Sequence, residues 1–346
     1  MKKNISLVFV AFLIILSCKG PETIVTNFVN RDGSILRKVE MRNSKNEFNR
    51  KNFRVPVDSS WKFSDSISIA ANGDTTWYVF AEKLFRNAGE INAAYLTDSS
   101  SNRAVKRVAR FEKKFRWFTT VYRFSEECEK SMANGYPYQD FLTEEQVKFM
   151  QLPSDNRSLL LSGSDSTYYK MLSDSTDARL EKWYIRSLIS EWIEEAAKLC
   201  ASAGKDSLNS TILRSYEGRF NSMPDTLNFS RVISTVLGDK VYNEYQAELD
   251  SAIINAERRF DRSISFEEYT MQISMPYKVI SSNGFQNSGS LYSWPVRGEL
   301  FLCSDYVMEV STRVVNYWMI VITILILVIA LAGTFRYYYR KNKLDN

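Results

Sequence analysis

The amino-acid sequence predicts an α+β fold. A mixed or antiparallel sheet is drawn from both ends of a folded body, with a helical block between them and one C-terminal transmembrane helix. Three observations carry this. Short runs rich in β-branched and aromatic residues occur before residue 135 and again after residue 265; between them the apolar spacing changes to every third or fourth residue. Val314 to Phe335 then holds 22 residues without a charge. With 346 residues, 45% hydrophobic and 14% aromatic, the chain has ample material for a buried core.

The N-terminus has the three parts of a secretory signal. Lys2 and Lys3 precede an apolar run from Ile5 to Leu16, which is too short to span a bilayer comfortably, and Ser17-Cys18 follows. Ile15-Leu16-Ser17-Cys18 resembles the bacterial lipobox, in which the cysteine thiol receives diacylglycerol and becomes the first residue after cleavage. Cleavage by the ordinary signal peptidase would want small residues at both −1 and −3, and no such pair lies nearby. Cys18 is therefore the expected lipidation site and residues 1–17 the removed signal.

From Glu22 to Arg42, "TIVTNFV" and "ILRKVEM" flank the turn residues Asn30 to Gly33, which predicts a β-hairpin. A strand is predicted over 75–85 and a short helix over 88–96. One or two long strands follow over 107–124. This β-rich part is taken as 18–135. Thr143 and Gln146 form a capping box at the start of a helix, and residues 177–204 are the clearest helix. There Leu180, Tyr184, Leu188, Trp192, Ala196 and Cys200 recur every four residues, and Gly204 offers a C-cap. Further helices are predicted over 208–221 and 229–261, separated by Pro224, with Gly238 as a break. These make a helical block of 136–262, in which the serine- and aspartate-rich stretch 154–176 reads as a linker. Within 263–313, "YTMQISM", "SLYSW", "GELFLC" and "YVMEVSTRVV" read as strands, the last leading into the membrane helix.

That helix, predicted over 314–335, would be roughly 33 Å long against a hydrocarbon core of about 30 Å. Tyr317 and Trp318 flank one side, and Tyr337, Tyr338 and Tyr339 the other, as an aromatic belt requires. Residues 336–346 form a basic tail with Arg336, Arg340, Lys341 and Lys343, which the positive-inside rule puts in the cytoplasm. The net charge of +5 belongs to these ends. Removing their six basic residues and one acid from totals of 45 and 40 leaves 39 of each in the body. Lys106, Arg107, Arg110, Lys113, Lys114 and Arg116 alternate with aromatics, a pattern that can bind single-stranded nucleic acid. For a body outside the cytoplasm they read instead as the wet face of a strand pair, with lipid headgroups as the alternative contact. No nucleic-acid partner is expected.

"MPYKVISSNGFQNSGSLYSWPV" places Met275-Pro276, Asn283-Gly284 and Trp294 about twenty residues before the membrane helix. This resembles the juxtamembrane hairpin of the LppM-like bacterial lipoproteins, which share a lipobox, an α+β ectodomain and a C-terminal span. A glycine commonly follows Met-Pro in that family, and Tyr277 stands there in this chain. The resemblance covers roughly 265–335 and the N-terminal anchor. It implies an architecture and a lipid- or partner-contacting role, not a reaction.

Catalytic signatures are sparse. The chain has no histidine, which excludes histidine-based nucleophile–base pairs and histidine metal ligands. Its four cysteines, at 18, 128, 200 and 303, show no CxxC spacing, and no phosphate-binding glycine motif is present. No catalytic, cofactor-binding or metal-binding residue and no cofactor is therefore assigned. With Cys18 lipidated, the other three allow one disulfide and a free thiol, in pairings the sequence leaves open. The acidic groups Glu126-Glu127 with Glu129, Glu194-Glu195 and Glu267-Glu268 could serve a carboxylate-based envelope hydrolase, although adjacent carboxylates point in different directions and usually face solvent. Sequons at Asn156, Asn209 and Asn228 would suit a eukaryotic type I membrane protein, against which the Cys18 motif argues. Two anchors on a neutral body imply a single-pass protein of the bacterial cytoplasmic membrane. Its ectodomain outside the cytoplasm would be a protein- or lipid-binding module, with the hydrolase as the alternative.

Overall fold

A computed structural model describes residues 22–44, 53–70, 73–220 and 229–344. The signal segment, Cys18 and the last two residues of the basic tail lie outside the described residues.

The first hairpin forms as its sequence predicts. β1 (Glu22–Val29) and β2 (Ile35–Asn43) pair antiparallel from Val29 opposite Ile35 outward. Asp32 accepts from the backbone N–H and hydroxyl of Ser34, and Gly33 sits at φ +91° with the Phe111 ring where a Cβ would project. Both the left-handed backbone and the ring call for glycine there. β3 (Lys62–Ile69), β4 (Thr75–Phe85), α1 (Ala88–Leu96), β5 (Arg107–Arg116) and β6 (Thr119–Cys128) follow. After the helical block the β pattern returns as β7 (Tyr269–Ser274), β8 (Lys278–Ser282), β9 (Phe285–Ser288), β10 (Leu291–Val296) and β11 (Tyr306–Val315).

The strands make two sheets. The seven-stranded sheet runs β3-β4-β2-β1-β7-β10-β9, and the four-stranded sheet runs β5-β6-β11-β8. Among the described residues every pairing is antiparallel except β1 with β7. Each sheet thus joins strands from both ends of the body, and the fold is α+β as expected. Val25, Val39, Met271 and Ile273 of the larger sheet share one core with Phe124, Met308 and Val310 of the smaller and with Ile91 of α1.

A buried polar bolt crosses that core. Arg37 of β2 pairs with Glu126 of β6 at 2.5 Å and donates through Nε to Asn27 Oδ1 at 2.8 Å. Asn27 donates to Glu126 Oε2 at 3.2 Å, and the Tyr95 hydroxyl of α1 donates to Glu126 Oε1. Burial disfavours the Arg37 charge, but Glu126 and Tyr95 more than offset it and hold its pKa above the ordinary value.

The helical block comprises α2 (Glu144–Met150), α3 (Ser154–Ser162), α4 (Ser166–Ser202), α5 (Ser210–Ser215), α6 (Glu217–Phe220), α7 (Phe229–Leu237), α8 (Asp239–Glu244) and α9 (Gln246–Ile264). The Thr143–Gln146 capping box is formed in both directions, and Gly204 at φ +73° ends α4 with Lys205 N bonded to the Cys200 carbonyl. Gly238 at φ +85° separates α7 from α8, as its position in the sequence suggests. Trp192 anchors a core with Ile233, Leu249 and Ala252, while Trp183 and Tyr184 share another with Met132, Leu300 and Leu302 next to the sheets. Arg259 of α9 forks onto two α4 carboxylates, Glu191 at 2.6 Å and Glu195 at 2.8 Å.

Four readings need correction. The expected linker 154–176 is helical, comprising α3 and the first turns of the 37-residue α4. Its hydroxyls fold back on the helix: Ser162 donates to the Ser158 carbonyl and Thr176 to that of Leu172, so they do not break it. "GELFLC" contains a 3-10 turn at Gly298–Phe301, where a Cβ at 298 would meet the Ser263 carbonyl. Val314 and Val315 belong to β11, opposite Thr120 and Thr119, so the final helix α10 (Tyr317–Leu344) starts three residues later than expected. The stretch that resembles a juxtamembrane hairpin does not turn back on itself at Asn283-Gly284: the pair separates β8 from β9, as expected, but β8 lies in one sheet and β9 in the other. β3 also escapes sequence reading: it is an exposed edge strand whose serines mask the alternation of Phe63, Ile67 and Ile69.

Cys128, Cys200 and Cys303 stand free, each in or against a different apolar core. Burial pushes the Cys128 thiol up to about 12 and Cys303 up to about 11, and raises Cys200. At pH 7.5 almost none of each is thiolate, so these three should resist maleimide in the native protein and all react after unfolding, as peptide mass spectrometry would read. Glu126→Ala leaves Arg37 buried without its counter-charge and should cost about 3–5 kcal/mol in urea unfolding. Removing both charges, as Arg37→Met with Glu126→Leu, should recover part of this. An equal loss in the double variant would show that charge pairing is not the cause.

Candidate membrane-facing site

α10 contains Tyr317–Tyr337, 21 residues long and apolar enough to cross a membrane, and very little of it is buried against the rest of the chain. What distinguishes it is how it joins the sheets. β11 runs antiparallel to β6 up to Val315 opposite Thr119, so the last residues of β11 lie beside the β5–β6 turn at Trp117-Phe118.

One residue separates strand from helix. Asn316 is buried, and its backbone N–H donates to the Phe118 carbonyl at 2.8 Å. Its side-chain amide donates to the carbonyls of Arg116 at 3.0 Å and Trp117 at 3.3 Å, and its Oδ1 accepts from the Thr120 hydroxyl at 2.9 Å. The Asn316 carbonyl accepts from Met319 N at 2.9 Å as the helix begins. Asparagine suits this post because it offers two donors and an acceptor on one short side chain. The turn is also fastened further along the helix: Trp117 Nε1 donates to Thr323 Oγ1 at 2.8 Å, and Phe115 stacks on Trp318 with centroids 6.2 Å apart.

The exposed aromatics at this end are Phe115 (52%), Trp117 (50%) and Phe118 (49%), next to Tyr317 and Trp318. The ladder also groups charge. Lys114 lies opposite Val121, which lies opposite Arg313, which in turn pairs with Lys278. Lys113 is one row back and Arg116 is at the tip. The four rows nearest the turn therefore carry five basic residues, all exposed, and no acid. The first acid is Glu112, one row further away and opposite Arg123. Of the six basic residues singled out in the sequence, Lys113, Lys114 and Arg116 belong here. Arg107 is buried on Asp98, Lys106 pairs with Glu129, and Arg110 pairs with Glu127.

The acidic candidates for hydrolysis are not brought together. Glu126 is held by Arg37, Glu127 by Arg110, and Glu129 by Lys106. Glu194 pairs with Arg214 and Glu195 with Arg259. Glu267 pairs with Arg54, and Glu268 lies between Arg157 at 3.1 Å and Arg297 at 3.7 Å. Among the described residues, no group of three or more potential metal ligands converges.

The motif around Met275 and Trp294 is a structural knot. Met275 and Trp294 are buried in the core between the sheets, and Gly284 lies where any Cβ would strike the Trp294 ring. Asn283 Oδ1 accepts from the Trp294 indole at 3.0 Å and from Glu309 N at 2.9 Å, while its amide donates to the Val307 carbonyl at 2.6 Å. Tyr277, next to this knot, holds φ 71°, the left-handed region that a bulky residue rarely enters. Asn283, Phe285 and Trp294 also line an open cleft of about 380 Å³ with Tyr138, Gln151 and Tyr306. Asn316 escaped sequence reading. The only available signal was a polar residue between a strand pattern and an apolar helix, together with an aromatic pair at the predicted turn.

Asn316→Ala removes three side-chain hydrogen bonds and leaves the Thr120 hydroxyl short of its acceptor, at about 1–3 kcal/mol for each buried group left unpaired. Amide hydrogen exchange should then quicken at the β5–β6 turn and at the start of α10 while β1–β2 keeps its protection. An unchanged turn would show that Asn316 is not what fastens it.

No protein-family model matches the chain, nor does any curated protein. Among solved structures, the folded domain of LppM from Mycobacterium tuberculosis, determined by NMR, is 7% identical over 86% of this chain and 91% of that one, with a TM-score of 0.26. At that score the likeness supports no conclusion about function, and the resemblance to LppM-like lipoproteins rests on the residues around Met275 and Trp294.

Proposed function

We propose that the chain is an extracytoplasmic module of the bacterial cytoplasmic membrane. It is held there twice, by a lipid on Cys18 and by the span Tyr317–Tyr337, and it binds a membrane protein or a lipid. The observation that carries this reading is the junction at Asn316. The apolar helix continues from a sheet strand through one fully hydrogen-bonded residue, and a second element of the same sheet is fastened to its side. An anchor needed only for retention would work equally well at the end of a flexible stalk. A rigid junction instead holds the folded body at a set height and orientation, which serves recognition at the membrane surface. The charge distribution agrees: basic residues lie beyond the far end of the span, where the positive-inside rule expects the cytoplasm, and the body itself is neutral.

The hydrolase alternative draws nothing from the acidic pairs, since each of their carboxylates is held by its own cation. The test is purification of the full-length protein from its native membranes in mild detergent, with mass spectrometry of co-purifying proteins and lipids. One protein or one lipid class should be enriched over the bulk membrane. The reading would be sunk by a chain that enriches neither and instead turns over an envelope substrate, with the turnover lost on replacing one carboxylate.

A further inference from the structure

We infer that the β5–β6 hairpin is a second membrane-inserted element: its aromatic tip enters the leaflet that α10 enters, and the basic rows behind it rest on anionic lipid headgroups. This rests on the reading of α10 as a span, and its occupant follows from where the tip is fastened. Trp117 is hydrogen-bonded to Thr323, six residues after Tyr317 and so about 9 Å along the helix axis. The 21 residues of the span, charged only at Arg336 next to its far end, measure roughly 31 Å, close to the thickness of the hydrocarbon core. The helix therefore has no slack. Lifting Trp117 out to the boundary would leave only Thr323 to Tyr337, about 22 Å, to cross the core, and would pull Arg336 and the basic residues after it into hydrocarbon.

The surface chemistry follows the same depth scale. Phe115, Trp117 and Phe118 are about half exposed, an arrangement that is unfavourable against water and suited to acyl chains and the interfacial belt. Lys114 lies three residues behind Trp117 along the strand and Lys113 four, so about 10 to 13 Å back at the rise of a β-strand. That distance returns the chain from inside the core to the headgroups, where Lys113, Lys114, Arg313 and Lys278 meet lipid phosphates with no acid among them. Arg116, nearer the tip, has the length to reach back to the same layer.

The experiment uses the full-length protein in liposomes of phosphatidylcholine and phosphatidylglycerol, with part of the acyl chains brominated to quench buried indoles. Tryptophan emission is compared for the native chain, Trp117→Phe, Trp318→Phe and Phe118→Trp. Trp117→Phe should lose quenchable emission about as large as that lost in Trp318→Phe, and Phe118→Trp should gain a comparable amount. If Trp318→Phe loses it while Trp117→Phe and Phe118→Trp change nothing, the helix spans and the hairpin does not insert. If none of the variants changes the quenchable emission, neither element is in the bilayer and both readings fall. Lys113→Gln with Lys114→Gln should lower the Trp117 contribution in vesicles containing phosphatidylglycerol and leave it unchanged in phosphatidylcholine alone. An equal effect in both would overturn the headgroup part.

Discussion

The buried pair of Arg37 and Glu126 is the constraint on which the rest of the architecture depends. Two sheets that shared only apolar contacts could slide over one another with little change in buried area. A charge pair inside the core cannot slide, because each displaced partner would be left unsolvated. Asn27 and Tyr95 extend the pair to β1 and α1, so β2 and β1 of the larger sheet and the helix α1 are keyed to one residue of β6. β6 is the middle of the pairing that leads through β11 to the C-terminal helix. The register of the core and the placement of the membrane-facing end are thus set by the same strand.

That coupling explains why the junction at Asn316 needs so little sequence. The β11 ladder delivers Val315 to the β5–β6 turn, and one asparagine closes the remaining hydrogen-bonding groups on both sides. Trp117 and Thr323 then fix the azimuth of the helix, which a strand–helix connection alone would leave open. The helical block stands apart from this end. It keeps a core of its own around Trp192 and meets the rest mainly through the Trp183 and Tyr184 cluster.

Local signals were legible and long-range ones were not. The β1–β2 turn, the Thr143–Gln146 box, the stripe from Leu180 to Cys200, and the breaks at Gly204 and Gly238 each depend on residues a few positions apart, and each appears as read. The division of the strands into two sheets depends on which distant partner each strand finds, and alternation along one strand carries no record of that. Serine-rich 154–176 was misread because hydroxyl composition points to loops when the side chains have no carbonyl to bond, whereas a helix provides one four residues back. At the candidate site the residue types were visible, with basic and aromatic residues alternating through 107–124. Their meaning turned on register, which separates Arg107, buried on Asp98, from Lys114, exposed beside Arg313. The same limit applies to the acidic pairs, whose cationic partners are set by distant strands and helices.

The parallel pairing of β1 with β7 has a kinetic consequence. Thr26 and Gln272 are 246 positions apart, yet their side chains are hydrogen-bonded and their strands adjacent. The centre of the larger sheet therefore cannot close until the chain has been synthesised past residue 274, and the β6–β11 ladder waits longer still. Contacts of such high sequence separation place this body among slow folders, with loop closure coming before any reward from pairing. Until then the β1–β2 hairpin presents an unpaired edge, so the emerging chain passes through a long interval in which a chaperone or the membrane surface is its only cover.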